Sequence, residues 1–258
     1  MSFEIIDFHT HPFVEPLHNI CSHKEFCHMG PEDTRNVFAS LGISRICGSV
    51  ITTSPFEDTW RKICRNNDTA LLLRERYGDF YVPGFHVHPA YPQESLEEIR
   101  RMDGLGVRLI GELGPYMDGW NDYACEAFSA LLGEAGRRSM VVSFHSMGDD
   151  AMDAMVQAHK DVVFVAAHPG EYDSLMRHIR RMRMSENYYL DLSGTGLFRY
   201  GMLRRIIDEI GADRVLFGSD FPTCNPAMFV GGVLLDPLLT DGEREQILSG
   251  NAKRLLGL

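Results

Sequence analysis

No stretch of about eighteen uninterrupted apolar residues occurs in this chain, which excludes an ordinary membrane-spanning helix. Positive charge is scarce. Twenty-five Lys and Arg residues stand against 36 Asp and Glu, for a formal net charge of -11. That balance disfavours a general binder of nucleic acid or of an anionic membrane surface. The six cysteines (21, 27, 47, 64, 125 and 224) are scattered and form no C-x-x-C framework. A reduced, cytoplasmic compartment is therefore expected. The first residues, MSFEIIDFHTHPF, hold no basic stretch followed by a long apolar one, so no signal peptide is expected. Linkers and low-complexity tracts are missing too, and residues 1–258 read as a single domain. What is present is apolar material: 44% of the residues are hydrophobic, enough for a sizeable core and unlike a disordered chain.

Short β-rich runs alternate with helical patterns. The runs are 3–8, 43–52, 80–87, 107–111, 140–144, 162–167, 188–192 and 215–218. Between them, Pro31-Glu32-Asp33 reads as a helix start, with Pro in the first turn and acids beside the positive end of the helix dipole. Residues 93–102 place Leu96, Ile99 and Met102 at helical spacing. Further helical runs cover 123–135, 171–184, 202–210 and 241–256. Repeated βα units give either an open doubly wound sheet or a closed barrel. Eight units in about 250 residues favour an α/β fold of the (β/α)8 TIM-barrel type.

In such a barrel the active site lies at the C-terminal ends of the strands. Six metal-seeking side chains fall there in order: His9 and His11, Glu112, His145, His168 and Asp220. Alternate residues of a strand face the same way, so His9-Thr10-His11 aims two imidazoles at one point. A lone histidine is more often a satisfied core or rim residue, but six candidates at one mouth weaken that reading. Four imidazoles and two carboxylates suit zinc or another borderline divalent metal. A carboxylate can bridge two ions, the role expected of Glu112. Two ions about 3.5–4 Å apart could share a hydroxide and polarise a carbonyl or phosphoryl oxygen.

The stretches DFHTHPF at 7–13, GEL at 111–113, AHPG at 167–170, LFGSDFP at 216–222 and GNAKRLLGL at 250–258 resemble the amidohydrolase superfamily, most closely its family 2 branch. The likeness spans nearly the whole chain. It implies a metal-dependent enzyme in which His9, His11 and Asp220 hold one ion, His145 and His168 a second, and Glu112 the bridge. The Gly-Glu-Leu-Gly at 111–114 is also similar to the Gly-Glu-Ile-Gly of TatD-like nucleases. Decarboxylases of family 2 keep one metal and no bridging acid, so Glu112 favours a two-metal hydrolase. The implied reaction is cleavage of an amide, lactone or other ester bond of a small molecule by metal-activated water, with Asp220 as general base and then acid. A one-metal decarboxylase, a TatD-like phosphodiesterase and a non-catalytic barrel remain the rival expectations. Glu112 as a hydrogen-bond partner of a ligand histidine is the rival reading of that residue.

Other residues are weighed on the same mouth. His86 and His88 form a second H-x-H at the end of strand three, and His86 is expected to face substrate. His88, followed by Pro89, reads nearly as well as a histidine packed against a loop. Tyr116 is a candidate pocket wall, and Arg199 a candidate grip on a substrate anion. An exposed loop arginine is the commoner case, and Tyr200 lies in the same loop. Asp191 reads foremost as a turn acid, with a role near the site as the alternative. The segment from His18 through Cys21, His23 and Cys27 to His28 is rich in soft ligands but matches no zinc-finger spacing, and reads as a lid. The arginine pairs 100–101, 137–138, 180–181 and 204–205 read as solvated helix faces. The expected partner is a small molecule, with no nucleic acid and no membrane. Homo-oligomerisation is left open.

Overall fold

The computed structural model describes residues 3–21, 29–53 and 58–258. Its eight strands are β1 (Ile5–Asp7), β2 (Ile43–Ser49), β3 (Tyr81–Phe85), β4 (Leu109–Leu113), β5 (Val141–His145), β6 (Val163–Ala167), β7 (Tyr188–Asp191) and β8 (Val215–Leu216). They pair in parallel in the order of the chain. Each falls within or against a run expected from the sequence, usually shortened by a residue or more. The two ends of the sheet also meet. The Phe8 amide donates to the Phe217 carbonyl at 2.9 Å, the Asp220 amide to His9 at 2.8 Å and the His11 amide to Phe221 at 2.7 Å. Thr10 and Phe221 form a parallel bridge.

Packing reports the same curl. One apolar cluster joins Ile6 and Phe8, Cys47, Leu109, Val141, Val165 and Leu216, with Val82 and Tyr189 against it. All eight strands or their ends are represented, which requires a sheet wrapped around its own interior. Ala252, Leu255 and Leu256 close the lower end of this layer. Asn251 fixes them there, its Nδ2 donating to the Ala212 and Val215 carbonyls at 2.7 Å each. A larger cluster lies between the outer face of the sheet and the helices. The result is a TIM-like barrel.

The helices are α1 (Pro31–Ser40), α2 (Thr59–Tyr77), α3 (Pro92–Gly104), a single turn α4 (Pro115–Asp118), α5 (Glu126–Arg137), α6 (Asp149–Ala158), α7 (Tyr172–Met184), α8 (Met202–Ile210), α9 (Pro226–Leu234), α10 (Asp241–Glu245) and α11 (Asn251–Leu256). The last two are joined by a π turn at Gln246–Gly250. Helices α2, α4, α6 and α9 are additions to the six expected runs. The inner face of α2 buries Asn66 and Asn67 beside Ile63, Ala70, Leu73 and Tyr77, so polar residues interrupt its apolar stripe. Helix α6 is short and marks its face with only Met152, Met155 and Val156. Helix α9 is apolar on nearly every side and has no contrast to read. Among the described residues no helix is long and apolar enough to cross a membrane.

One buried histidine on the barrel's flank gives the fold a pH dependence. His178 of α7 is 1% exposed, with its Nδ1 2.8 Å from the Tyr188 hydroxyl of β7. Burial, reinforced by the nearby Arg181 guanidinium, pushes its pKa down from 6.5 to about 3. The unfolded chain therefore takes up this proton first. Stability is complete above about pH 6.5 and falls as pH drops toward about 3, by roughly 1.4 kcal/mol per pH unit in that window. His178→Phe keeps a ring beside Tyr188 and removes the proton site. Between pH 7 and 4.5 the wild type should lose roughly 2–3 kcal/mol more than this variant, as read from urea unfolding. Parallel pH curves for the two proteins would count against the assignment.

Candidate active site

Local backbone places the six sequence candidates around one point. In β4 the pairing register slips between Ile110 and Leu113. Gly111 occupies the slip at φ 92°, and a Cβ there would lie 2.1 Å from the Ser143 carbonyl oxygen, so the position demands glycine. An irregularity of this kind re-aims a neighbouring side chain, here Glu112. His168 and Asp220 are non-glycine residues in the left-handed region, at φ 68° and 61°. Such conformations cost on the order of 1–3 kcal/mol and concentrate at functional sites.

His9 and His11 converge with Nε2 atoms 3.1 Å apart. Their other ring nitrogens are held from behind. His9 Nδ1 donates to Asp191 Oδ2 at 2.8 Å, and His11 Nδ1 donates to the Ser49 carbonyl at 3.0 Å. In the neutral rings both Nε2 lone pairs then face the same space, an arrangement that repels itself unless a cation or a proton lies between. Asp220 Oδ1 completes this corner, 3.8 Å from His9 Nε2 and 3.7 Å from His11 Nε2. The donor atoms of His9, His11 and Asp220 all lie within 4.8 Å of one another, as do those of His9, Glu112 and His168.

Glu112 sits at the centre, 7% exposed. Its Oε2 is 3.3 Å from Nε2 of both His9 and His11. Its Oε1 is 3.0 Å from His145 Nδ1 and 3.5 Å from His168 Nε2. His145 thus turns its Nδ1 inward, unlike the other three, and stands in neither three-residue group. Behind the histidines Ser193 couples two of them. Its hydroxyl donates to Asp191 and accepts from His168 Nδ1 at 3.0 Å. Asp191 also accepts from the Ser193 amide at 2.9 Å. It is therefore a turn acid and an orienting group for His9 at once.

The electrostatics favour positive charge at this centre. Burial opposes the His9 imidazolium, but Asp191 and Glu112 outweigh it and hold its pKa well above the ordinary value. Burial likewise opposes charge on His168, and Glu112 overcomes it upward. Burial would raise the Glu112 carboxyl, yet His9 and the other three imidazoles take it well below the usual range. Asp220 goes the other way: burial raises its carboxyl. Donors confined by their neighbours, with lone pairs aimed at one buried anionic space, fit a divalent metal ion. Asp7 was not among the candidates. It is fully buried, and its Oδ1 accepts from the His9 and Ser219 amides at 3.2 and 3.0 Å, clipping β1 to β8 beneath the site. Burial pushes its carboxyl up to about 7.

The substrate candidates separate. His86 is 4% exposed and its Nε2 has no hydrogen-bond partner among the described residues. Burial lowers its pKa to about 4, with Asp118, His11, Glu112 and Lys62 as its charged surroundings. Its backbone is clamped by Asn67 of α2, through bonds of 2.8 and 3.0 Å. His88 is used up structurally: Nδ1 accepts from the Ala90 amide and Nε2 donates to the Asp118 carbonyl, each at 3.0 Å. Tyr116 of α4 lies over His145 with ring centroids 5.0 Å apart and is more than half exposed. Arg199 pairs with Glu171 at 3.1 Å on the exposed rim. Of the soft-ligand segment, His18 is exposed and Cys21 partly buried, while 22–28 lie outside the described residues.

A parallel barrel with imidazoles and carboxylates gathered at its strand ends has the form of an amidohydrolase-like protein with a candidate metal centre. The chain belongs to the amidohydrolase family, whose family 2 model, described as "Amidohydrolase", matches residues 6–258. Among solved structures it resembles 2,6-dihydroxybenzoate decarboxylase from Rhizobium, with a TM-score of 0.75, 18% identity and 99% of each chain covered. It also resembles a dihydroxybenzoic acid decarboxylase from Polaromonas sp. with bound manganese and the inhibitor 2-nitroresorcinol. There the TM-score is 0.72 and the identity 15%, over 99% of this chain and 97% of that one. A protein described as amidohydrolase II matches with a TM-score of 0.75 and 16% identity, over 99% of this chain and 100% of that one. At these identities the likeness establishes the fold. No curated protein matches the sequence.

Proposed function

We propose that the protein is a hydrolase of amidohydrolase type, a single barrel domain that cleaves an amide, lactone or other ester bond of a small molecule. One observation carries the hydrolytic reading. The Glu112 carboxylate divides its oxygens between two pairs of imidazoles, His9 and His11 on one side and His145 and His168 on the other. That division supports a bridging role for the carboxylate. His9, His11 and Asp220 would hold one ion, His145 and His168 a second, with zinc the first choice for such a nitrogen and oxygen donor set. A divalent ion bound there would supply Lewis acidity toward a carbonyl oxygen and would bring the pKa of water toward about 7.

The protein's own groups then have separate tasks. Asp191, Ser193 and the Ser49 carbonyl hold the rings that face the centre. Asp220, buried with its Oδ1 3.7–3.8 Å from the His9 and His11 nitrogens, takes a proton from the attacking water and returns it to the leaving group. His86 would offer its free Nε2 to a polar atom of the substrate. The second reading is a decarboxylase with one ion. It is favoured by the fact that both three-residue donor groups share His9 and neither includes His145, and Glu112 would then only orient histidines.

Elemental analysis of the metal-loaded protein, run beside two assays, separates these readings. One assay presents esters, lactones and amides; the other follows carbon dioxide release from hydroxybenzoates. Two ions per chain with hydrolysis supports the proposal. One ion with carbon dioxide release and no hydrolysis overturns it.

A further inference from the structure

A cavity of about 340 Å3 opens beside the metal corner, between the loop after β7 and the segment after β8. Leu197, Phe198, Cys224, Met228 and Phe229 line it, with Gly194 and Gly232 giving it depth. Two of its walls are continuous with the candidate ligands. The Cys224 amide donates to the Asp220 carbonyl at 3.0 Å. Gly194 backs directly onto His168, where a Cβ would come within 2.4 Å of Nδ1. The cavity's rim is open, since Phe198 and Met228 are 61% and 68% exposed.

Resting on the reading of Asp220 and His168 as part of the reacting centre, we infer that this cavity binds an apolar arm of the substrate, aromatic or branched aliphatic. The size agrees. Small-molecule sites run from about 300 Å3, and a cavity of about 150 Å3 already holds benzene. The chemistry agrees too. Aliphatic, thioether, thiol and aromatic surface rewards burial of carbon at about 25 cal/mol per Å2. Thr223 and Asn225 are the polar side chains of the lining, which offers no charged one to a second anionic group. With Asp220 and His168 on one side and an open rim on the other, an apolar arm seated here places the bond next to it over the metal corner. The substrate class is then a monofunctional ester, lactone or amide with a bulky hydrocarbon substituent.

Calorimetric titration of the zinc-loaded protein with acetohydroxamate and 3-phenylpropionohydroxamate tests this. Both carry the same metal-chelating head, and only the second carries an arm. The phenyl compound should bind at least tenfold more tightly. Gly232→Leu should fill the cavity and erase that advantage while leaving acetohydroxamate binding unchanged. Met228→Gln, at an exposed wall position, should reduce the advantage without burdening the fold. Equal affinities in the wild type, or an advantage that survives both variants, overturns the inference. Concentration-dependent dimerisation lost in Met228→Gln, with the affinity ratio unmoved, also overturns it and assigns the face to a second copy of the chain. Should neither hydroxamate bind, the metal reading fails separately. The cavity is then judged by 13C-methyl methionine spectra with benzyl alcohol. A Met228 shift in the wild type but not in Gly232→Leu supports it, and no shift refutes it.

Discussion

Asp220→Asn should keep most of its metal and lose turnover by a factor of about 10^2–10^4, the usual contribution of a positioned proton-transfer group. The side chain is buried, and its Oδ1 lies 3.7–3.8 Å from the paired imidazole nitrogens. Asparagine preserves its volume and an oxygen that can face a cation, and removes the ability to take up a proton. The backbone is not at risk from the exchange, because asparagine tolerates the left-handed φ of 61° at this position. Loss of turnover with metal retained is therefore specific to proton transfer, whereas loss of both would mean that Asp220 acts mainly as a ligand. Metal content and kcat measured on the same preparation decide it. Near-normal kcat in a metal-loaded variant would sink the assignment.

The candidate set was legible in the sequence because each member sits at a strand end, and strand ends are marked by apolar runs of β-branched and aromatic residues. The structure brings all six together. Their supporting contacts were not legible, since they depend on approaches that no local pattern encodes. Asp191 meets His9 across 182 positions, and Ser219 meets Asp7 across 212. Ser49 orients His11 through its backbone carbonyl, an atom every residue has. Helix α2 escaped periodicity for a related reason. Asn67, which would look misplaced on an inner face, is needed there to hold the His86 backbone and the Glu98 carboxylate. His88 shows the reverse limit. It shares the H-x-H pattern with His86, yet both its ring nitrogens are consumed by neighbouring backbone groups. The apolar cavity is built from the loop after β7 and the segment leading into helix α9, which meet only in the folded chain, so only folding reveals it.

Glu112→Gln should distinguish two ions from one. The carboxylate is surrounded by four imidazoles at 3.0–3.5 Å, and its negative charge is what favours a cation, proton or metal, among them. Glutamine has nearly the same shape but only one acceptor oxygen, so it can serve one pair of imidazoles and presents an N–H to the other. If Glu112 bridges two ions, the variant should fall from two ions per chain to one. Turnover should fall by at least about 10^2-fold, since one of two cooperating Lewis acids is gone. If Glu112 only orients histidines around a single ion, the stoichiometry should hold. Affinity should then weaken by about 10–100-fold, as it does when an outer hydrogen-bond partner is removed. Protons compete with metal for the same nitrogens. Removing the central negative charge weakens both competitors, so the comparison belongs at pH 8, where the histidines have the least tendency to protonate. Unchanged stoichiometry with turnover within a few-fold of wild type would exclude a bridging carboxylate, and the one-ion lyase would become the better account of this barrel.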